Sequence, residues 1–381
     1  MLKLYGRGVV ENFTLDRSRL FTLTKNPQIP IGERQDKALI IENGSAPEGF
    51  GAYLTFDATK DLGQVNHLEL PEEMNYIDEG DIARISPSGR ISIIFRKKSP
   101  NNTFLLTERC NHYCLMCSQP PKDHDDSWLM EEAIEALDLI PKDTANIGYT
   151  GGEPTLYGDQ FIELITKTKK ALPNTAIDVL TNGRTFKDSS FAKRYADVNH
   201  HDCLLGIPIY SDDPARHDYV VQANGAFDET MQGILNLKRF NQKVEIRVVI
   251  HKQTIDRLVQ TCEFIARNLI FVDHVALMGL EMMGFTRANL DKLWIDPYEY
   301  KDTLSRALGI LNSYGIRTSI YNHQLCVVNQ DIKSNYVKSI SDWKNEYVEE
   351  CDSCVKRSEC GGFFSSSKKY RYSDHIRAFK E

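Results

Sequence analysis

Apolar and polar positions along the chain change their pattern twice. Up to about residue 100 the apolar stretches are short, as at 38–41 and 52–56, and Gly, Pro, Asp and Asn break them up. Residues 82–85 and 90–96 are rich in β-branched side chains and flank the turn Ser86-Pro87-Ser88-Gly89, a hairpin signal. No helix of useful length is predicted in this part. Residues 1–100 are therefore expected to form a small, β-rich domain.

From residue 101 onward, short apolar runs alternate with stretches of helical period. Strands are predicted at 104–106, 146–150, 176–180, 204–209, 244–250 and 272–278. Helices are predicted at 128–140, with Ser127 as N-cap, and at 159–170, 188–197, 228–240 and 255–268. Six strands alternating with helices predict an α/β fold over 101–285, a partial (β/α)6 barrel, with a doubly wound sheet as the structural rival. In either arrangement chemistry belongs at the C-terminal ends of the strands. Past 285 the pattern changes again. A long amphipathic helix at 298–314 stops at Gly315, followed by a short strand at 317–320, a helix-like stretch at 342–350 and a cysteine-rich end. Residues 286–381 are expected to be a third unit.

Length and charge narrow the function classes. A chain of 381 residues exceeds what a single core usually supports, in keeping with several units. The 46 Lys+Arg against 53 Asp+Glu leave a net charge of -7, which gives nucleic acid no support as a partner. No apolar run approaches the ~18 residues that span a bilayer, so no membrane partner is expected. The start MLKLYGRGVVENF lacks the apolar stretch of a secretory signal, and a cytoplasmic location is expected. Nine cysteines cannot all pair internally, and seven of them fall into two groups with ligand-like spacing, so metal comes before disulfide.

Cys110, Cys114 and Cys117 are spaced C-x3-C-x2-C, directly after the first barrel strand. Three thiolates on a four-iron cubane leave one iron open for an outside ligand. Zinc would want a fourth ligand, which His112 or His124 could supply, and a chance cluster of reduced thiols is the third reading. The second barrel strand ends in Gly151-Gly152-Glu153-Pro154. Its two glycines expose backbone groups beside a carboxylate, an edge able to pair with an amino-acid moiety; a tight strand-to-helix turn is the plain alternative. Cys326, Cys351, Cys354 and Cys360 form C-x24-C-x2-C-x5-C, enough to saturate an iron–sulfur cluster or a zinc ion. Cys203 and Cys262 stand on core elements and are read as buried thiols.

The triad and the Gly-Gly-Glu-Pro run together resemble the radical S-adenosylmethionine (SAM) enzymes. Met116 stands where that superfamily usually has an aromatic residue. The resemblance implies a [4Fe-4S] cluster on Cys110, Cys114 and Cys117, whose open iron binds SAM, and a 5'-deoxyadenosyl radical that takes hydrogen from an unactivated carbon. It also implies SAM contacts at Gly151, Gly152, Glu153 and Asn182, at Ser211 after the fourth strand, at Arg247 inside the fifth, and at Gly279 after the sixth. Arg247 in a strand core needs a partner, either the SAM carboxylate or Glu153 or Glu281. In this setting the four-cysteine set resembles a twitch- or SPASM-like auxiliary module, with a second [4Fe-4S] cluster ahead of zinc.

Three segments resemble more closely the C-type radical SAM maturases of the His-Xaa-Ser system: GDIARISPSGRISIIFR, ERCNHYCLMCSQPP and CDSCVKRSECGGFF. That resemblance implies oxidative cross-linking of a ribosomally made His-Xaa-Ser-repeat precursor. It also implies a sister radical SAM maturase and a one-electron reductant such as flavodoxin or ferredoxin as partners. Two rival functions stand beside it: a radical SAM enzyme acting on a small molecule or nucleotide, and a non-catalytic peptide-binding partner. An exposed β edge in residues 1–100 could accept leader peptide as an added strand; otherwise this domain is a cap on the barrel.

Overall fold

A computed structural model describes residues 3–11, 13–42, 46–57, 67–338 and 345–380. The N-terminal part contains β1 (Tyr5–Arg7), β2 (Val9–Glu11), β3 (Arg19–Thr24), β4 (Lys37–Ile40), β5 (Ala52–Thr55), β6 (His67–Glu69), β7 (Ile82–Ile85) and β8 (Arg90–Phe95). They form one mixed sheet in the order β1-β8-β7-β3-β4-β5-β6-β2. The two ends of that order are neighbours in sequence, because only Gly8 separates β1 from β2. Its N–H donates to Gly89 O at 2.9 Å. One bent segment therefore pairs with β8 on one side and β6 on the other, and the sheet closes on itself. Closure removes the free edge on which strand addition depends. Among the described residues, the leader-binding edge expected from the sequence is not offered by this sheet. The predicted hairpin is β7–β8, antiparallel with an irregularity at Ile82/Ala83. Alternating residues such as Phe21, Leu23, Ile40, Leu54, Leu68 and Ile91 fill the interior.

The second sheet holds β9 (Thr103–Leu105), β10 (Asn146–Thr150), β11 (Ala176–Leu180), β12 (Cys203–Pro208), β13 (Lys243–Ile250), β14 (His274–Gly279) and β15 (Thr318–Tyr321). Every neighbouring pair is parallel, and the spatial order is the chain order. A doubly wound sheet would reverse its order at a switch point, so this is an open barrel. It has seven strands where six were expected. The seventh, β15, comes from the segment assigned by sequence to the C-terminal unit.

The helices are α1 (Ser127–Ala136), α2 (Asp159–Ala171), α3 (Ser189–Asp197), α4 (Pro214–Val221), α5 (Ala226–Arg239), α6 (Leu258–Asn268), α7 (Phe285–Ala288), α8 (Leu290–Leu293), α9 (Pro297–Ser313) and α10 (Ser365–Tyr370). Asp188, Asp213 and Asp296 cap α3, α4 and α9, each accepting from a backbone N–H in the first turn. Asp126 rather than Ser127 precedes α1, and its carboxylate is used elsewhere, as shown below. Residues 342–344 of the expected stretch at 342–350 lie outside the described residues. The remainder is not α-helical: Glu346 bridges Phe363, and Glu349–Cys351 is one 3-10 turn.

Strand alternation divides the barrel into two faces. Ile246, Val248, Ile250, Val275, Leu277 and Ile320 pack outward against the helices in one large core. Their sequence neighbours Glu245, Arg247, Val249, His274, Met278, Ser319 and Tyr321 therefore face the lumen. Leu20, Ile82 and Phe95 of the β domain join the outer core, and Arg84 pairs with Glu132 of α1 at 2.8 Å. Among the described residues, no helix is long and apolar enough to cross a membrane.

Candidate functional site

The cysteine loop leaves β9 at the C-terminal rim of the barrel and runs directly beside the end of β10. Gly152 N donates to Thr107 O at 2.8 Å and Glu153 N to Arg109 O at 2.9 Å, extending the β9–β10 ladder past both strands. This approach requires glycine. A Cβ on Gly151 would stand 2.5 Å from Thr107 O, and one on Gly152 would stand 2.2 Å from Arg109 O.

Short helices grip the rest of the loop from both sides. At the end of α4, Tyr113 N donates to Val221 O and Leu115 N to Val220 O, at 3.0 and 2.9 Å. From α7 and α8, Phe285 N donates to Cys117 O at 2.8 Å, Thr286 Oγ1 to Met116 O at 3.1 Å and Asn289 Nδ2 to Leu115 O at 2.9 Å. Asp126 anchors the loop's entry, accepting from Thr107 Oγ1, Glu108 N and Tyr157 OH.

The loop brings Cys110, Cys114 and Cys117 into one electrostatic neighbourhood. Burial pushes the Cys110 thiol up to about 12, with the nearby Glu153 and Cys117 adding to the effect. Burial also raises Cys114, and there both other thiolates contribute. Three half-buried thiols that resist ionising together become good ligands only when strong positive charge arrives, as an iron–sulfur cluster or metal ion supplies. The donor set therefore fits a cluster. Neither candidate fourth ligand for zinc completes a site. His124 is half-exposed and sits 3.3 Å from Glu108. His112 is buried, with Nδ1 4.0 Å from Cys114 Sγ. Among the described residues, no three His, Cys, Asp or Glu side chains converge on a single-ion site. Met116 packs with Tyr210, Val249 and Leu280 in an apolar cluster next to the thiols.

The remaining sequence candidates fall on the same rim, several of them occupied by internal bonds. Glu153 is fully buried, and its carboxylate accepts from Thr155 N (3.0 Å), Thr155 Oγ1 (2.5 Å), Thr181 Oγ1 (2.7 Å) and Asn182 N (2.6 Å). It ties the ends of β10 and β11 together. Burial pushes its carboxyl above the usual range, against those four bonds. Asn182 Nδ2 donates to Asn111 Oδ1 of the cysteine loop at 2.6 Å. Ser211 is fully buried, and its hydroxyl accepts from Asp213 N at 3.2 Å in the turn into α4. Gly279 lies against the segment after β15, where a Cβ would meet Asn322 O at 2.4 Å. Arg247 does not pair with Glu153, whose bonds are the four above. It lies 3.6 Å from Glu245 Oε1 and donates to Met278 Sδ at 3.3 Å, so its guanidinium stays weakly paired within the lumen.

The second cysteine group also gathers. Burial raises Cys326, with Cys360 and Cys351 adding, and it raises Cys351, with Cys360 and Cys354 adding. Gly362 N donates to Cys360 Sγ and Phe379 N to Cys354 Sγ, both at 3.4 Å. Such N–H donors stabilise thiolate sulfur, although these thiols do not converge on a single-ion site. Cys203 and Cys262 are buried apart from both groups, and Tyr195 OH donates to Cys203 Sγ at 3.1 Å. All nine thiols are free. A narrow cleft of about 50 Å³ lies between the barrel rim and the C-terminal segment. Ile250, Gly279 and Leu280 line it from the barrel rim, and Gly361, Gly362 and Phe363 line it from beside Cys360.

The sequence missed α4, α7 and α8, which clamp the cysteine loop. The one available signal was Asp213-Pro214, a capping residue followed by proline at the first helical position.

Comparison with known proteins agrees with this geometry. Residues 104–265 match the radical SAM superfamily. Fe-coproporphyrin III synthase of Methanosarcina barkeri is 31% identical over 42% of this chain and 39% of its own length. Cysteine-type anaerobic sulfatase-maturating enzyme of Clostridium novyi is 27% identical over 33% of this chain and 34% of its own. The chain thus matches well under half the length of either relative. Among solved structures, native anSMEcpe with bound AdoMet aligns with a TM-score of 0.52 at 14% identity, over 73% of this chain and 92% of that one. The same protein with AdoMet and the Kp18Cys peptide aligns with a TM-score of 0.50 at 15% identity, over 73% and 92%. These alignments, at 14% and 15% identity, carry the fold alone, and the superfamily match covers residues 104–265.

Proposed function

We propose that the chain is a radical SAM maturase that oxidatively modifies a ribosomally made peptide, with a His-Xaa-Ser-repeat precursor as substrate. The observation that carries the reading is the presence in one chain of a thiol triad held at the barrel rim and a second, four-thiol group. Cys110, Cys114 and Cys117 would hold a [4Fe-4S] cluster, and Gly151, Gly152, Glu153, Asn182, Ser211, Arg247 and Gly279 would frame SAM. When bound, that pair supplies a 5'-deoxyadenosyl radical by one-electron cleavage of SAM. The chain's own contribution is rigidity and dryness. Short helices on both sides hold the cysteine loop, Glu153 locks the rim, and Met116, Tyr210, Val249 and Leu280 form an apolar wall that excludes water from a reactive centre. Arg247, only weakly paired, is free to meet a carboxylate.

Cys326, Cys351, Cys354 and Cys360 would hold a second [4Fe-4S] cluster, with zinc as the alternative. Four protein ligands leave no open position, which favours electron transfer or a structural role over substrate binding. Nine unpaired thiols suit a reducing, cytoplasmic compartment. The name of the sulfatase-maturating relative and the peptide bound to anSMEcpe support a peptide substrate. A flavodoxin or ferredoxin would supply the electron, and a sister maturase would be a partner.

The relative that makes Fe-coproporphyrin III favours a second reading, a small-molecule substrate. One experiment separates the two. Anaerobically reconstituted protein is incubated with SAM, reductant and a His-Xaa-Ser-repeat precursor, and intact mass is read. SAM-dependent loss of two hydrogens from the precursor is expected. Accumulation of 5'-deoxyadenosine with unchanged precursor mass would move the assignment to the small-molecule reading.

A further inference from the structure

The lumen of the barrel carries a directed chain of hydrogen bonds that no part of SAM cleavage requires. Glu245 Oε2 lies 2.6 Å from His274 Nδ1, and His274 Nε2 lies 2.9 Å from Ser319 Oγ. The three are inner-face residues of the adjacent strands β13, β14 and β15, so the chain crosses the barrel wall. Ser319 pairs in register with Ala276, three rows below the Ile250–Gly279 row at the rim. Glu245 and His274 pair with each other two rows deeper.

The order of donors follows from the chemistry. A carboxylate only accepts, so the neutral imidazole carries its proton on Nδ1 and leaves Nε2 as an acceptor for the Ser319 hydroxyl. Ser319 Oγ then keeps a lone pair for a proton donor in the lumen. The other titratable and charged groups nearby are Arg247, 3.6 Å from the other Glu245 oxygen, Arg317 and Tyr321, two residues either side of Ser319, and Asp178 further round the wall, bonded by Asn146 Nδ2 at 2.8 Å. Serine, histidine and carboxylate in this order also suit a nucleophile. Here Ser319 sits inside a paired strand whose N–H groups are committed to the ladder, so no oxyanion site is built around it.

We propose that Ser319, His274 and Glu245 form a proton-accepting relay that takes the proton released when the bound substrate is oxidised. The proposal rests on the oxidative reading above. A substrate carbon gives up a hydrogen atom to the SAM-derived radical. A neighbouring O–H, N–H or S–H bond breaks, its electron pair forms the new bond to that carbon, and its proton passes through Ser319 to His274 Nε2. The one electron left over goes to an iron–sulfur acceptor, the class proposed for the four-cysteine site. The sum is the loss of two hydrogens from the substrate. Glu245 stabilises the imidazolium that forms.

Two measurements on the full-length chain test the relay. In the metal-free protein with 15N-labelled histidine, the His274 resonances, assigned by their loss in His274→Gln, are expected to show the Nδ1-protonated tautomer. Protonation at Nε2 in the neutral ring would overturn the relay. In the reconstituted enzyme, the ratio of two-hydrogen-loss product to 5'-deoxyadenosine is expected to fall about tenfold in both His274→Gly and Ser319→Ala. Added imidazole is expected to recover at least threefold in His274→Gly, which a packing role would not do. An unchanged ratio in Ser319→Ala, a change small enough to fold, would overturn the relay while leaving the maturase reading intact. Wild-type protein that releases 5'-deoxyadenosine without oxidising the precursor would instead overturn the maturase reading, and the relay with it.

Discussion

At the scale of single residues, Glu153 has the largest structural consequence in the candidate site. Its carboxylate is out of contact with water yet meets four donors, two from backbone N–H groups and two from threonine hydroxyls. Removing half of such an arrangement costs more than the arrangement contributes, because the donors stay buried and unpaired. Glu153→Gln replaces one acceptor oxygen with an NH2 group facing donors. The expected loss is about 2–3 kcal/mol in urea unfolding, at the level of bonds to charged groups. The iron bound at Cys110, Cys114 and Cys117 is expected to fall with it, since Glu153 N is also the bond that holds Arg109 O. Normal iron loading in a destabilised Glu153→Gln protein would show that Glu153 supports the sheet and not the cysteine loop. The sequence pointed to this residue through the run Gly151-Gly152-Glu153-Pro154 but assigned its charge to a ligand. Its actual partners, Thr155, Thr181 and Asn182, belong to turns whose meeting depends on three-dimensional packing.

At the scale of elements, the cysteine loop is rigid because α4, α7 and α8 donate to it or accept from it. Helices of four to eight residues hold little intrinsic stability, so their caps matter. The Asp213 carboxylate accepts from Ala215 N at 3.0 Å at the start of α4. Asp213→Ala is expected to cost about 1 kcal/mol, the usual worth of an N-cap. Because the other end of α4 holds Tyr113 N and Leu115 N, the variant is also expected to lose its first-site cluster faster under a chelator. Equal rates of iron loss in the variant and the wild type would show that the loop is held from the α7 and α8 side alone. Periodicity explains what the sequence revealed at this scale. Helices α2, α5, α6 and α9 present two turns or more of apolar face, and strands β10 to β14 read as apolar runs between turns. Helices α4, α7 and α8 and strand β15 are each eight residues or fewer, too short for a period to emerge. The seventh barrel strand was read as a strand but placed in the wrong unit, because sequence alone does not say which sheet a four-residue strand joins.

At the scale of the whole molecule, closure of the N-terminal sheet and the open seven-stranded barrel leave a set of histidines sealed in the interior. His217, His251 and His323 are 1%, 0% and 0% exposed. Burial lowers His217 to about 4, His251 to about 3 and His323 to about 4. His323 is bonded at both ring nitrogens, to the Tyr321 carbonyl at 2.7 Å and the Tyr300 hydroxyl at 2.8 Å, and burial outweighs the carbonyl, which favours the charged ring. In the unfolded chain each would titrate near ~6.5. Above that pH neither state binds the proton, and the stability is fully present. As the pH falls below it, the unfolded chain takes up protons that the fold refuses, so stability is lost progressively towards the folded values. Each histidine contributes about 1.4 kcal/mol per pH unit across that window. One unit below ~6.5, the three together cost about 4 kcal/mol, a large share of the ~5–15 kcal/mol that holds a typical domain. Carboxylates held low by cations, such as Asp78 with Lys98 and Lys25, act in the same direction but only below about 4. The protein is therefore expected to weaken well above the carboxylate range. Urea midpoints followed by circular dichroism should fall steadily from about pH 7 to about pH 5, and His251→Leu should flatten part of that slope. A midpoint that stays level until about pH 4.5 would mean that the interior accepts protons on these rings, and the sealed core described here would be wrong.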